Sequence, residues 1–208
     1  MRAHTMSTQT TQILTNDKAR MLFVAESKFQ TPTEELAKAL NVASDFVGDM
    51  GAEITNITPR RKPHWLTLAG ASGCGKTMLA KEIVRFAERH MSYNRELCTC
   101  NEIVFKTILD LADDWRAGKW RNETDETAWL MVIDDLGRER DSTGFIIDRL
   151  AGLLERRLGR WTVITTNLKY ESIRDNYDAR IASRLIRDGN KGMGFKSSVD
   201  WWLRKGNL

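Results

Sequence analysis

The chain of 208 residues is 41% hydrophobic and 29% charged, a composition typical of a soluble globular protein with one sizeable core. No apolar run approaches the roughly 18 residues that a membrane span needs, and the N-terminal MRAHTMSTQTTQ lacks the apolar core of a signal peptide. The three cysteines, Cys74, Cys98 and Cys100, do not have the spacing of a disulfide framework or a zinc site. The formal net charge of +4 permits a polyanionic partner without requiring one. These features predict a cytoplasmic protein.

The N-terminal part of the chain divides into a polar tail and a helix. Residues 1–28 show no convincing hydrophobic period, so we expect a flexible tail and a candidate partner-binding segment. A helix is predicted to begin at Thr31, which can cap it, with Pro32 in the first helical position and Glu34 completing a capping box. Apolar residues then recur at helical spacing, at Leu36, Leu40, Ala43 and Val47.

From Trp65 onward, short apolar runs alternate with amphipathic segments, after a connector over 58–63. Strands are predicted over 65–69, 96–100, 129–133, 161–166 and 197–203. Helices are predicted over 76–91, 101–115, 145–158 and 179–187. The helix over 101–115 rests on Asn101 as a cap and on the spacing of Ile103, Ile108 and Leu111. This alternation favours an α/β fold of three layers, in which helices cover both faces of a mostly parallel sheet.

A glycine-rich loop follows the first predicted strand and opens a helix. The sequence GASGCGKT matches the phosphate-binding pattern G-x-x-x-x-G-K-[ST] at every fixed position, and it comprises Gly70, Ala71, Ser72, Gly73, Cys74, Gly75, Lys76 and Thr77. The glycines allow backbone N–H groups to approach phosphate oxygens, and the helix adds its positive end. Lys76 supplies charge to the β- and γ-phosphates, and Thr77 offers a hydroxyl to Mg²⁺. Chance produces such a pattern in well under ~1% of chains of this length, so the loop predicts an ATP site.

Two acidic residues follow the apolar run WLMVI, where a parallel strand would reach the ligand-binding edge of the sheet. We expect Asp134 to hold Mg²⁺ opposite Thr77, and Asp135 to orient or deprotonate the attacking water. The alternative is a simple turn or helix cap, for which aspartate is common. The upstream phosphate loop favours the metal site.

Polar residues near the next strand and helix are further candidates. Asn167 follows WTVITT and could hydrogen-bond the attacking water or the γ-phosphate, or else cap the following segment. Arg180 and Arg184 share one helix face in DARIASRLI. They are either a solvated surface pair or the source of an arginine finger, which reaches the γ-phosphate of a neighbouring subunit.

The blocks LTLAGASGCGKTMLA, WLMVIDDLGRER, WTVITTNL and DARIASRLI together resemble the AAA+ ATPases of the DnaC-type replicative helicase loaders, with the IstB-type transposition helpers as close relatives. The resemblance covers about residues 60–205, and we expect residues 29–208 to form an AAA+ ATPase domain without a C-terminal lid domain. It implies a Walker A loop at 70–77, Walker B at Asp134 and Asp135, a sensor at Asn167 and the arginine finger at Arg184, with Arg180 as a secondary phosphate or interface residue. Aspartate at position 135, where most AAA+ enzymes carry glutamate, implies slow, assembly-dependent turnover.

The resemblance implies an ATP-dependent homo-oligomer that remodels a hexameric replicative helicase for loading on single-stranded DNA. The alternative is a transposition helper that binds duplex DNA and recruits a transposase. A small-molecule P-loop kinase is a third possibility, but it would leave Asn167 and the arginine pair without a role.

A basic and aromatic segment between the two Walker motifs is a candidate DNA contact. In ring-like AAA+ assemblies this region can face a central channel, where cations track a phosphate backbone and indoles stack on bases. The alternative is a solvated helix end with its aromatic residues in the core. The candidates, placed in a helix and its following loop, are Lys106, Arg116, Lys119, Arg121, Trp115 and Trp120.

Overall fold

A computed structural model describes residues 34–55, 58–93, 103–119, 123–139, 141–177, 179–185 and 190–195. The predicted tail over 1–28, the helix start at Thr31 and the predicted strands over 96–100 and 197–203 lie outside these residues. None of the described helices combines the length and the apolar character that a membrane crossing requires.

The described residues form seven helices and five strands. The helices are α1 (Glu34–Ile54), α2 (Lys76–Tyr93), α3 (Ile108–Arg116), α4 (Glu123–Thr127), α5 (Phe145–Arg156), α6 (Tyr170–Asn176) and α7 (Ala179–Leu185). The strands are β1 (Trp65–Gly70), β2 (Ile103–Thr107), β3 (Leu130–Leu136), β4 (Trp161–Thr166) and β5 (Lys191–Phe195).

The five strands form one parallel sheet in the order β2-β3-β4-β1-β5. Alternate residues of the central strands β3 and β4 enter two separate apolar cores. Val132 and Val163 pack with α1 and α2 on one face, whereas Ile133 and Ile164 pack with α3, α5 and α7 on the other. Helices therefore cover both faces, and the expected three-layer α/β fold is confirmed.

The predicted helix over 101–115 was wrong in its first part. Ile103–Thr107 is strand β2, which pairs in parallel with β3. Ile103 lies opposite Leu130, and Thr107 lies opposite Asp134. The helix begins only at Ile108 because Thr107 caps it. The Thr107 hydroxyl accepts from the backbone N–H of Asp110 at 3.1 Å, and the Asp110 carboxylate accepts from the Thr107 N–H at 2.8 Å. Lys106 consequently lies in a strand and not in a helix.

Strand β5 lies on the far side of β1 and was missed, as were the short helices α4 and α6. Its sequence, KGMGF, has two glycines and little β propensity, so its place in the sheet depends on pairing with β1. Asn190, just before β5, links two other elements. Its side-chain oxygen accepts from the Trp65 N–H at 2.7 Å, and its side-chain nitrogen donates to the Arg184 carbonyl at 2.6 Å.

At the edge of the sheet opposite the phosphate loop, polar side chains form hydrogen bonds between helices and strands. Glu53 of α1 accepts from the indole N–H groups of Trp129 and Trp161, at 3.0 and 2.9 Å. Arg157, which is fully buried, donates to a Thr162 hydroxyl and to backbone carbonyls of α4, of the residue after it and of β4. Burial, together with the nearby charge of Arg160, lowers the pKa of Arg157 to about 9. These contacts join α1, α4 and α5 to the sheet.

Candidate functional site

The glycine-rich loop joins β1 to α2 and wraps around the side chain of Lys76. Its ammonium donates to the carbonyls of Gly70 and Ala71, at 2.8 and 2.7 Å, and the residue is only 5% exposed. Gly73 and Gly75 have φ angles of 75° and 96°, which favour glycine. The loop thus holds a cation at the N-terminus of a long helix, an arrangement suited to anions.

Thr77 and Asp134, which the sequence placed on opposite sides of a Mg²⁺ ion, are in direct contact between α2 and β3. The Thr77 hydroxyl donates to the two carboxylate oxygens of Asp134, at 2.9 and 3.1 Å. Asp134 is buried, and it lies at the carboxyl end of β3. A hydroxyl and a carboxylate in contact are the type of oxygen ligand that Mg²⁺ takes in proteins.

Asp135 adopts an unusual backbone conformation and makes a local ion pair. Its φ angle is 60°, in the left-handed region that aspartate tolerates better than most residues. Its carboxylate lies 2.9 Å from the guanidinium of Arg138, whose side chain is mostly exposed. Asp135 therefore follows Asp134 directly in β3, but its carboxylate is paired with a cation of the following loop.

Asn167 is exposed and directly follows β4. The preceding residue, Thr166, pairs with Ala69 of β1 and with Leu136 of β3. Asn167 therefore lies at the same edge of the sheet as the phosphate loop and the two aspartates.

The arginine pair lies on α7, and the described side-chain contacts of Arg184 are with α5. Its guanidinium donates to the Ala151 carbonyl at 3.0 Å and forms an ion pair with Glu155. Among the described residues, it makes no recorded contact with the phosphate loop. Arg180 is exposed on the same helix and takes part in an interaction of its own.

Two candidates for the DNA contact, Lys106 and Trp115, have partners within the chain. The Lys106 ammonium lies 2.9 Å from both Asp114 and Asp125. Burial alone would lower the pKa of Lys106, but the two carboxylates outweigh it and raise the pKa. Trp115 is buried in the core of the α3 face. Trp115 thus lies in the core, as the alternative for this segment expects, and Lys106 is held by two carboxylates of the same chain.

The remaining candidates in this segment give the hypothesis little support. Arg116 is paired with Asp113 at 3.1 Å, and Lys119 lies 3.6 Å from Asp114. Trp120 and Arg121 lie outside the described residues.

One contact of the site was missed by sequence reasoning. Thr165, fully buried in β4, hydrogen-bonds to both Asp134 and Asp135. The sequence signal was the pair of threonines in WTVITTN, but only the pairing of β3 with β4 shows that the first of them faces the aspartates.

Solved structures with this arrangement of strands and helices identify the fold. The DnaC helicase loader is 24% identical to the chain, with a TM-score of 0.56, over 79% of this chain and 92% of that one. The chain has the fold of the DnaC helicase loader. DnaI is 21% identical over 78% of this chain and 82% of that one, also with a TM-score of 0.56.

The resemblance to DnaC-type AAA+ proteins is therefore confirmed at the level of the fold. DnaA from Aquifex aeolicus with bound AMPPCP shares the fold too, with 16% identity and a TM-score of 0.54, over 78% of this chain and 47% of that one. No family model matches the sequence, and no curated protein is significantly similar to it.

The residues present in this DnaC-like fold fit a nucleotide with its metal ion. The loop offers backbone N–H groups and a buried ammonium at a helix N-terminus, which suit a triphosphate. Thr77 and Asp134 offer hard oxygen ligands 2.9 Å apart on two neighbouring elements. The chemistry of this donor set matches Mg²⁺ and phosphate.

Proposed function

We propose that the chain is an ATP-dependent helicase loader, a cytoplasmic ATPase that assembles with a replicative DNA helicase and remodels it for loading on single-stranded DNA. The observation that carries the proposal is the Thr77–Asp134 contact, which joins the phosphate loop to the acidic strand within the fold of the DnaC helicase loader. The contact and the fold support ATP binding and the loader class, respectively.

In this proposal the loop 70–77 holds the triphosphate. The Lys76 ammonium, which donates to loop carbonyls, is placed to turn one or more of its three N–H bonds toward phosphate oxygens. Thr77 and Asp134 would hold Mg²⁺, either directly or through water. When bound, the ion neutralises phosphate charge in the transition state of hydrolysis.

Asp135 and Asn167 act on the attacking water in this proposal. Asp135 accepts the water proton or orients the molecule once its carboxylate leaves Arg138, and Asn167 donates a hydrogen bond from the end of β4. The ion pair at 2.9 Å between Asp135 and Arg138 opposes this use of the carboxylate. Slow turnover is the expected consequence.

Arg184 serves a neighbouring subunit in the proposed homo-oligomer, with Arg180 as a secondary interface residue. The contacts of Arg184 with α5, on the face of the sheet opposite α2, support an action in trans rather than on its own nucleotide. Hydrolysis would then require assembly.

The comparisons support the loader over the transposition helper. The DnaC helicase loader covers most of this chain and is itself almost fully covered, which favours a loader. None of the solved structures named above supports a transposition helper, and we do not propose it.

Binding to the hexameric replicative helicase of the same organism tests the proposal. The purified proteins should form a complex on size-exclusion chromatography with light scattering in the presence of ATP and Mg²⁺. Lys76→Ala should abolish nucleotide binding, because it removes the buried cation of the loop, and with it any ATP-dependent assembly. A wild-type chain that binds ATP but never associates with the helicase would exclude the loader while leaving the ATPase intact.

A further inference from the structure

A single buried hydroxyl contacts both acidic residues of the site. Oγ1 of Thr165 donates to Oδ1 of Asp134 at 2.5 Å and accepts from the backbone N–H of Asp135 at 2.9 Å. A threonine hydroxyl has one donor hydrogen and two acceptor lone pairs, so the two contacts are compatible. Because Thr165 is fully buried, water cannot readily replace either contact if the hydroxyl is lost.

An irregularity in the pairing of β3 with β4 creates this double contact. Ile133 pairs with Ile164, and the register resumes with Leu136 opposite Thr166. Two residues of β3, Asp134 and Asp135, therefore lie opposite one residue of β4, as in a β-bulge. The bulge coincides with the left-handed backbone of Asp135, and the residue facing it is Thr165.

We propose that Thr165 is a positioning residue for the metal site. It fixes the Asp134 carboxylate from the side of β4, while Thr77 contacts the same carboxylate from α2. The same hydroxyl also accepts from the backbone N–H of Asp135, and so fixes the backbone that carries the Asp135 side chain. The inference rests on the proposed function, because it concerns the Mg²⁺ that accompanies ATP. Partners that orient a ligating carboxylate in this way commonly change metal affinity when removed.

Substitution of the hydroxyl by a methyl group separates positioning from packing. Thr165→Val keeps the shape and β-branching of the side chain and deletes both hydrogen bonds. Thr165→Ser keeps the hydroxyl and should rescue the site. Thr67→Val is the matched control: Thr67 is buried in the neighbouring strand β1, and its hydroxyl has no hydrogen-bond partner among the described residues.

The measurement is the Mg²⁺ concentration needed to support binding of a fluorescent ATP analogue, with melting temperatures recorded for each variant. Thr165→Val should raise the Mg²⁺ midpoint by roughly 10- to 100-fold, whereas Thr165→Ser and Thr67→Val should stay within about threefold of the wild type. Binding of the analogue in EDTA should be unchanged in all four proteins, since the phosphate loop is intact.

Three outcomes would decide between the proposals. A wild-type Mg²⁺ midpoint in Thr165→Val, or an equal shift in Thr165→Ser, would overturn the positioning role. If Thr165→Val does not fold, Thr165→Ala removes the same hydroxyl and replaces it in the titration. A wild-type protein without any Mg²⁺-dependent affinity for ATP would instead refute the proposed ATPase.

Discussion

The ion pair between Arg184 and Glu155 is predicted to restrain assembly. In one chain, the guanidinium is bound to the α5 carbonyl of Ala151 and to the Glu155 carboxylate. An arginine that acts on a neighbouring subunit must first leave these contacts. Glu155→Gln removes the opposing charge and keeps the size of the side chain, so it should make Arg184 easier to release.

The expected magnitude follows from the exposure of the two side chains. Glu155 is 55% exposed and Arg184 is 16% exposed, so solvent screens the pair strongly. Pairs of this kind contribute about 0.2–1 kcal/mol, which corresponds to at most about a fivefold change in an equilibrium constant. The hydrogen bond to the Ala151 carbonyl remains in the variant and limits the gain. The effect should shrink at high salt.

ATP hydrolysis measured against protein concentration tests this prediction. Glu155→Gln should lower the concentration at half-maximal activity by up to about fivefold at low salt, and Glu88→Gln, an exposed change on α2, should have no effect. Arg184→Ala should bind ATP normally and lose the concentration-dependent activity. A Glu155→Gln protein that needs a higher concentration would refute the reasoning, since the ion pair would then help to position the arginine in the assembly. Full activity of Arg184→Ala would exclude the action in trans.

Three further predictions concern stability. Arg157→Ala should lower the free energy of unfolding by roughly 3–5 kcal/mol in urea titrations, because three buried carbonyls lose their donor; a loss below about 1 kcal/mol would contradict this account. Glu53→Gln should lower the free energy of unfolding, followed by tryptophan fluorescence, by about 1–2 kcal/mol. The reason is that an amide can accept from one indole N–H but presents its own N–H donor to the other. The hydrogen bond from Lys106 lowers the pKa of Asp114 below its ordinary value of 3.8. The stability that the ionised carboxylate contributes is therefore fully present above pH 3.8 and is lost as the pH falls through the lower pKa of the folded state. Asp114→Asn should therefore lose less stability than the wild type between pH 5 and pH 2 (about three units of the acid range), and equal losses would contradict the ion pair.

Sequence reasoning succeeded where a local pattern sufficed. The strand WTVITT was predicted with its observed ends, because a continuous run of β-branched and apolar residues has few other stable conformations between two helices. The position of Asp134 near the phosphate loop followed from the rule that parallel strands present their carboxyl ends at one edge. The roles of these residues, and those of Asn167 and Arg184, stay predictions.

The failures arose where distant parts of the chain decide the structure. The spacing of Ile103, Ile108 and Leu111 fits a helix, but pairing with β3 makes the first of these residues part of a strand. A local signal existed in TILD, whose threonine and aspartate form the capping box at residue 107. No local signal could have indicated β5, because its glycines favour no strand by themselves and its pairing with β1 joins residues far apart in the chain.

The amide of Asn190 joins the last turn of α7 to the first residue of the strand that leads into the phosphate loop. The position of α7 and the start of β1 therefore depend on one side chain, and loss of that amide would release both contacts.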